Sequence, residues 1–114
     1  MTGNRLLVEE VLESCYKTSW RELNLEIHHT ETVILQTDDP VWALKNKSGS
    51  STHMAVELVA NGQAQSMVSC ANTGALAAIS RYKLKRLPGV EKLSMLGSFP
   101  TYDDSKDVYI SDVG

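Results

Sequence analysis

The chain has 114 residues, 42% of them apolar and 22% charged, with a net charge of −3 and a pI near 5.5. That balance fits one small soluble globular domain and disfavours a nucleic-acid binder, whose mark is a basic face on a basic domain. No apolar run approaches the roughly 20 residues of a bilayer-crossing helix, the N-terminus lacks a signal-peptide pattern, and two distant cysteines, Cys15 and Cys70, suit a reducing cytoplasm.

In chain order, the stretch Asn4 to Lys17 places Leu7, Val8, Val11, Leu12 and Cys15 at helical spacing. Leu23, Leu25 and Ile27 alternate with polar residues, which predicts a strand over Leu23 to His29. After the short run Val33-Ile34-Leu35 comes Asp38-Asp39-Pro40. Asp39 can cap a helix, and Pro40 fits its first position because it has no N–H to satisfy there, so a helix is expected through Lys47. Ser48 to Ser51 form a loop whose serines can cap a helix running through His53 to Ala60, closed by Asn61-Gly62. Ala64 to Ser69 is expected as a short apolar strand, and Thr73 to Arg86 as a helix stopped by Leu87-Pro88-Gly89. Two further strands are expected over Lys92 to Phe99 and Asp107 to Ser111.

This alternation predicts an α/β layered fold with a largely parallel sheet, whose ligand sites lie at the carboxyl ends of its strands. Val68 to Ala78 occupies such an end. Asn72, Thr73 and Gly74 then fall at a helix start, where unpaired amides and the macrodipole favour an anion. The alternative is that Asn72 or Thr73 only caps the helix. A second polar loop, with Lys45, Lys47, Ser50 and Ser51, offers cations and hydroxyls before another helix.

These stretches together resemble the PlsX family of phosphate acyltransferases. The likeness is carried by Asp38-Asp39-Pro40, Ser50-Ser51 before a helix, Asn72-Thr73-Gly74-Ala75 after a strand, Leu87-Pro88-Gly89-Val90 and the closing Asp112-Val113-Gly114, in the family's order. It is collinear from Asp38 to Gly114 and weaker before. It implies a Rossmann-like fold and transfer of a fatty acyl group from acyl-acyl carrier protein to inorganic phosphate, giving acyl-phosphate for bacterial phospholipid synthesis. It further implies a cytoplasmic homodimer, loosely membrane-associated, with no metal and no cofactor. Phosphate-binding residues are expected at Asn72, Thr73, Gly74, Ser50, Ser51, Lys45 and Lys47. Ala71 stands where the family has a glycine, and Ser48 where it often has a lysine. Family chains also carry an earlier glycine-rich turn and a second half. Residues 1–114 are therefore expected to form a single partial α/β domain, incomplete relative to the family and inactive unless a partner supplies the rest. The alternatives are a phosphate acetyl- or butyryltransferase-like enzyme, or a non-enzymatic remnant that binds phosphate or a protein.

Other residues receive plainer readings. His28 and His29, adjacent on a strand, face opposite ways and cannot chelate one metal. His53 reads as a surface helix residue, Cys70 as small and buried, and Trp20 and Trp42 as packing anchors. Arg81, Lys83, Lys85 and Arg86 suit the negative end of a helix; contact with an acidic carrier protein or lipid headgroups is the other reading. Asp103, Asp104 and Asp107 read as a solvated turn without the calcium-loop spacing, and Asp112 sits at the end of the last strand.

Overall fold

A computed structural model describes residues 1–92, 94–102 and 106–111, with Thr18 described by its backbone only. The order is β1 (Thr2–Gly3), α1 (Arg5–Tyr16), a 3-10 helix (Lys17–Glu22), β2 (His28–His29), α2 (Pro40–Asn46), α3 (Ser51–Ala60), α4 (Thr73–Leu84), β3 (Leu96–Pro100) and β4 (Asp107–Ser111). Asp103, Asp104 and the closing Asp112-Val113-Gly114 lie outside the described residues.

Each α-helix starts on a side-chain cap. The Asn4 Oδ1 accepts from the amides of Leu6 and Leu7, at 3.0 and 3.3 Å. Asp39 accepts from Trp42 N at 2.8 Å with Pro40 at the first helical position, as expected. At the far end of α3, Gly62 has φ 71°, Gly62 N donates to Val59 O at 3.0 Å and Gln63 N to Leu58 O at 2.8 Å. That pair of bonds is a Schellman closure, and the positive φ is why glycine serves there. Helix α4 stops at Leu84, two residues before the expected end, because Lys85 turns to φ 64°.

Two apolar clusters form. Ile34, Ala43, Val56, Ala75 and Ile79 pack α2, α3 and α4 together, with Leu44, Met67 and Leu76 around them. Leu12, Trp20 and Ile27, with Val8, join α1 to the 3-10 helix and the segment before β2.

The mixture of helix and strand is as expected, and a small parallel sheet is present: Thr2 pairs with His28 and Gly3 with His29. The sheet is far smaller than the sequence pattern predicts. From Leu23 to His29 only the last two residues pair, and Leu23 and Leu25 stay exposed. Ala64 to Ser69 is not a strand, and Val68 is 96% exposed. Alternation alone cannot make a strand; a neighbouring backbone must take its amides and carbonyls. The longest ladder is antiparallel, β3 with β4, in the register Leu96 to Ser111 through Pro100 to Asp107. Among the described residues no extended parallel sheet forms.

Candidate functional site at the start of helix α4

Asn72 is buried at 7% exposure and all of its side chain is engaged. Its Oδ1 accepts from Ala75 N at 3.0 Å. Its Nδ2 donates to the carbonyls of Leu35, Gln36 and Asp38, at 3.2, 3.1 and 3.1 Å. Asn72 therefore caps α4 and clamps the loop that leads into α2. No donor is left on it to point at a ligand, so the capping alternative describes it.

Thr73 and Gly74 are exposed. Their amides, at the first two positions of a helix of 12 residues, have no hydrogen-bond partner among the described residues. Unpaired amides at the positive end of the macrodipole are the chemistry of an oxyanion seat. Gly74 also lets two helix starts meet: a Cβ there would lie 2.7 Å from Pro40 Cγ. Its smallness serves the packing of α4 against α2.

The second polar loop divides. Ser50 is fully buried, and its hydroxyl caps α3 by accepting from His53 N at 3.4 Å. Ser51 is half-buried and helps line an open cavity of about 290 Å³ with Thr2, Thr52, Ala55 and the segment Val68 to Ala71 that leads into α4. Its own amide donates to Thr32 O at 3.3 Å. Lys47 is held by the fold: its Nζ lies 2.6 Å from Asp38 Oδ2, 2.8 Å from Val33 O, and 5.6 Å from the centre of the Trp42 ring. The Lys47 hydrogen bond, followed by the Leu35 amide, holds the Asp38 carboxyl below the usual carboxylate range. Lys45 is exposed and belongs to a different cavity, with His53 and Lys83. Of the seven expected residues, Asn72, Thr73 and Gly74 are thus together; Ser51 lines the cavity of the segment before α4, and Asn72, Ser50 and Lys47 serve the loops.

Several sequence readings change. His53 is buried at 2% exposure, not on the surface. Its spacing of three from Val56 already puts both on one helical face, a signal the sequence carried. Cys70 is exposed, not buried. The strand expected before it does not form, so no sheet covers it. Trp20 is a packing anchor as expected, whereas Trp42 is half exposed and serves instead as the surface over which Lys47 lies. Thr52 and Ser69, which line the cavity with Ser51, were not among the expected site residues. No helix among the described residues is long and apolar enough to cross a membrane.

Comparison with known proteins covers the whole chain, including the first 37 residues where the motif likeness is weaker. A family model described as fatty acid synthesis protein matches residues 1–114. The chain is similar to the phosphate acyltransferase of Colwellia psychrerythraea, 37% identical over 117 residues, covering 100% of this chain and 34% of that protein. It is similar to that of Shewanella woodyi, 40% identical over 114 residues, covering 100% of this chain and 32% of the relative. The phosphate acyltransferase of Pseudomonas syringae pv. tomato is 42% identical over 101 residues, covering 89% and 29%. The chain spans about a third of the length of the curated relatives it matches.

Proposed function

This chain belongs to the fatty acid synthesis protein family, and on that premise we propose that it serves acyl transfer from acyl-acyl carrier protein to inorganic phosphate, yielding acyl-phosphate for phospholipid synthesis. The observation that carries the reading is the pair of unpartnered amides of Thr73 and Gly74 beside the exposed Thr73 hydroxyl. An inorganic phosphate seated there is held by donors aimed in advance, with the helix dipole behind them. An oxygen of hydrogen phosphate attacks the thioester carbonyl, the C–S bond breaks, the carrier sulfur leaves as a thiol with the proton the phosphate gives up, and fixed donors restrict the phosphate to productive orientations. Ser51 adds a hydroxyl from the neighbouring cavity. Asn72, Ser50 and Lys47 position the loops that carry these groups. A Rossmann-like arrangement, a homodimer and a cytoplasmic location with peripheral membrane contact complete the proposal as the family resemblance implies them.

The test is to incubate the chain with long-chain acyl-acyl carrier protein and phosphate, and to trap acyl-phosphate with hydroxylamine. Hydroxamate that depends on phosphate, and that falls about tenfold or more in Thr73→Val while the melt is unchanged, supports the reading. A folded chain that forms none is not a catalyst on its own. A second reading, a phosphate- or protein-binding module without turnover, is favoured by the full engagement of Asn72, Ser50 and Lys47 in the fold itself. Signal from short acyl donors alone would point to an acetyl- or butyryl-type transferase.

A further inference from the structure

Lys47, expected among the phosphate-binding residues, has its ammonium engaged inside the fold. Its Nζ donates to Asp38 Oδ2 at 2.6 Å and to Val33 O at 2.8 Å, which occupies two of its three N–H groups. The Trp42 ring lies over it. The side chains of Lys47 and Asp38 are only 18% and 15% exposed. A pair so far out of water contributes little net stability, because desolvating two charges offsets their attraction. What such a pair fixes is position, and the position fixed here is that of the loop from Val33 to Asp38.

The start of α4 grips the same loop from its other side. Asp38 Oδ2 accepts from Leu35 N at 2.7 Å, while Asn72 Nδ2 donates to Leu35 O at 3.2 Å. Lys47 holds Asp38 through its carboxylate, and Asn72 holds it through its carbonyl at 3.1 Å. Leu35 and Asp38 are thus each fixed by the ion pair on one side and by Asn72 on the other. A further link runs from Gln36 Nε2 to Cys70 O at 3.5 Å, two residues before Asn72. Asn72 Oδ1 in turn sets the first turn of α4 through Ala75 N at 3.0 Å. We propose that Lys47 and Asp38 are positioning residues: their ion pair sets where the Thr73 and Gly74 amides stand, and Lys47 does not itself touch the anion. The role this serves rests on the phosphate reading of that seat, while the hold on the two amides belongs to the fold with or without an anion.

Backbone amide NMR of the chain, with and without inorganic phosphate at matched ionic strength, tests this. Lys47→Met removes the charge and keeps the aliphatic stem, Lys47→Arg keeps charge and donors, and Asp38→Asn leaves Leu35 N an acceptor without the charge. The Thr73 and Gly74 amide resonances are expected to be displaced in Lys47→Met and in Asp38→Asn. The double variant displaces them no further than either change alone, and Lys47→Arg returns them toward the wild type. Phosphate affinity follows, falling about threefold or more in Lys47→Met and recovering in Lys47→Arg. A pair that only stabilises the fold would lower the melting temperature of Lys47→Met and leave the two resonances in place, which overturns the proposal. Weaker phosphate binding with unmoved amides also overturns it, since Lys47 is then a direct ligand, and so do additive displacements in the double variant. A wild type that binds no phosphate, with displaced amides in the variants, removes the phosphate reading and leaves the hold of the pair on α4 standing. If circular dichroism shows that the neutral variants do not fold, acid makes the same change in the wild type. Asp38 is held below its ordinary 3.8, first by the Lys47 hydrogen bond, and its protonation breaks the pair. Lys47 is the charged group that reaches it, Asp39 is its neighbour at the start of α2, and Thr73 to Ser80 of α4 carry no charge. The Thr73 and Gly74 amides then titrate together with the Asp38 carboxyl at a midpoint below 3.8, and amide shifts that stay flat through that transition overturn the proposal.

Discussion

Removing the Asn72 amide strips the Ala75 N–H of its cap and takes the NH2 group, with its two N–H donors, from the carbonyls of Leu35, Gln36 and Asp38. A lost cap costs about 1 kcal/mol, and each carbonyl left unsatisfied adds to it according to how well water can replace the donor. Asn72→Ala is expected to lose about 2–4 kcal/mol in urea denaturation followed by circular dichroism. Asn72→Asp separates the two roles. The carboxylate keeps the capping acceptor, and negative charge suits a helix start. It also turns the other atom into an acceptor facing three carbonyls. The aspartate variant should therefore fall at least as far as the alanine variant. Wild-type stability in Asn72→Asp would mean that only the cap matters. The result bears on the proposed function as well: under that proposal, Asn72 acts by fixing where Thr73 and Gly74 stand.

At the level of elements, the contact between the starts of α2 and α4 rests on Gly74. Alanine in place of glycine inside a helix normally gains up to about 1 kcal/mol. Here the added Cβ would stand 2.7 Å from Pro40 Cγ, a ring atom with little freedom to move. Overpacking of that kind costs about 1–3 kcal/mol, so Gly74→Ala is expected to be net destabilising. In a double-mutant cycle Pro40→Ala should rescue it, since it removes the colliding atom; additive effects of the two changes would refute the contact. The four α-helices, and the caps at Asp39, Ser50 and Asn72, were legible in the sequence because capping is local, whereas the Asn4 cap and the 3-10 helix were not read. Asn4, Asp39, Ser50 and Asn72 each satisfy an amide two or three residues on, and nothing distant decides it. The strands were less legible. Leu23 to His29 and Ala64 to Ser69 carry strand-like patterns, yet pairing depends on backbone that sequence spacing does not identify. The candidate site was half legible for the same reason. The motif located Asn72-Thr73-Gly74, but only the fold reveals that the Asn72 amide is turned inward to residues 34 to 37 positions away.

The whole molecule is expanded for its length. Its radius of gyration is 16.5 Å, against about 13 Å for a compact chain of this size. The β3–β4 hairpin contributes to this, with Leu96, Phe99, Val108, Tyr109 and Ile110 all exposed. Stability therefore rests on two small apolar clusters, and charge changes beside the larger one should register globally. Two groups there respond to acid. His53 titrates below its ordinary value of 6.5 in the folded chain, chiefly through burial. As pH falls below 6.5, the unfolded chain takes up that proton before the folded one does, so stability declines until the folded value is passed and then levels. Asp38 titrates below its ordinary 3.8, through Lys47 first. Its contribution is present above 3.8 and is lost as pH falls through the lower folded value. Acid unfolding should thus proceed in two stages, and His53→Leu should abolish only the upper one. Thermal melts of the wild type and of His53→Leu at about pH 7.5, 5.5 and 3.0 read this out, the first two lying on either side of the ordinary histidine value and the third below the ordinary aspartate value. The expected outcome is a wild-type melting temperature that drops between the first two conditions, a variant that holds over that interval, and a decline in both at the third. Parallel profiles throughout would mean that His53 reaches solvent and protonates without cost.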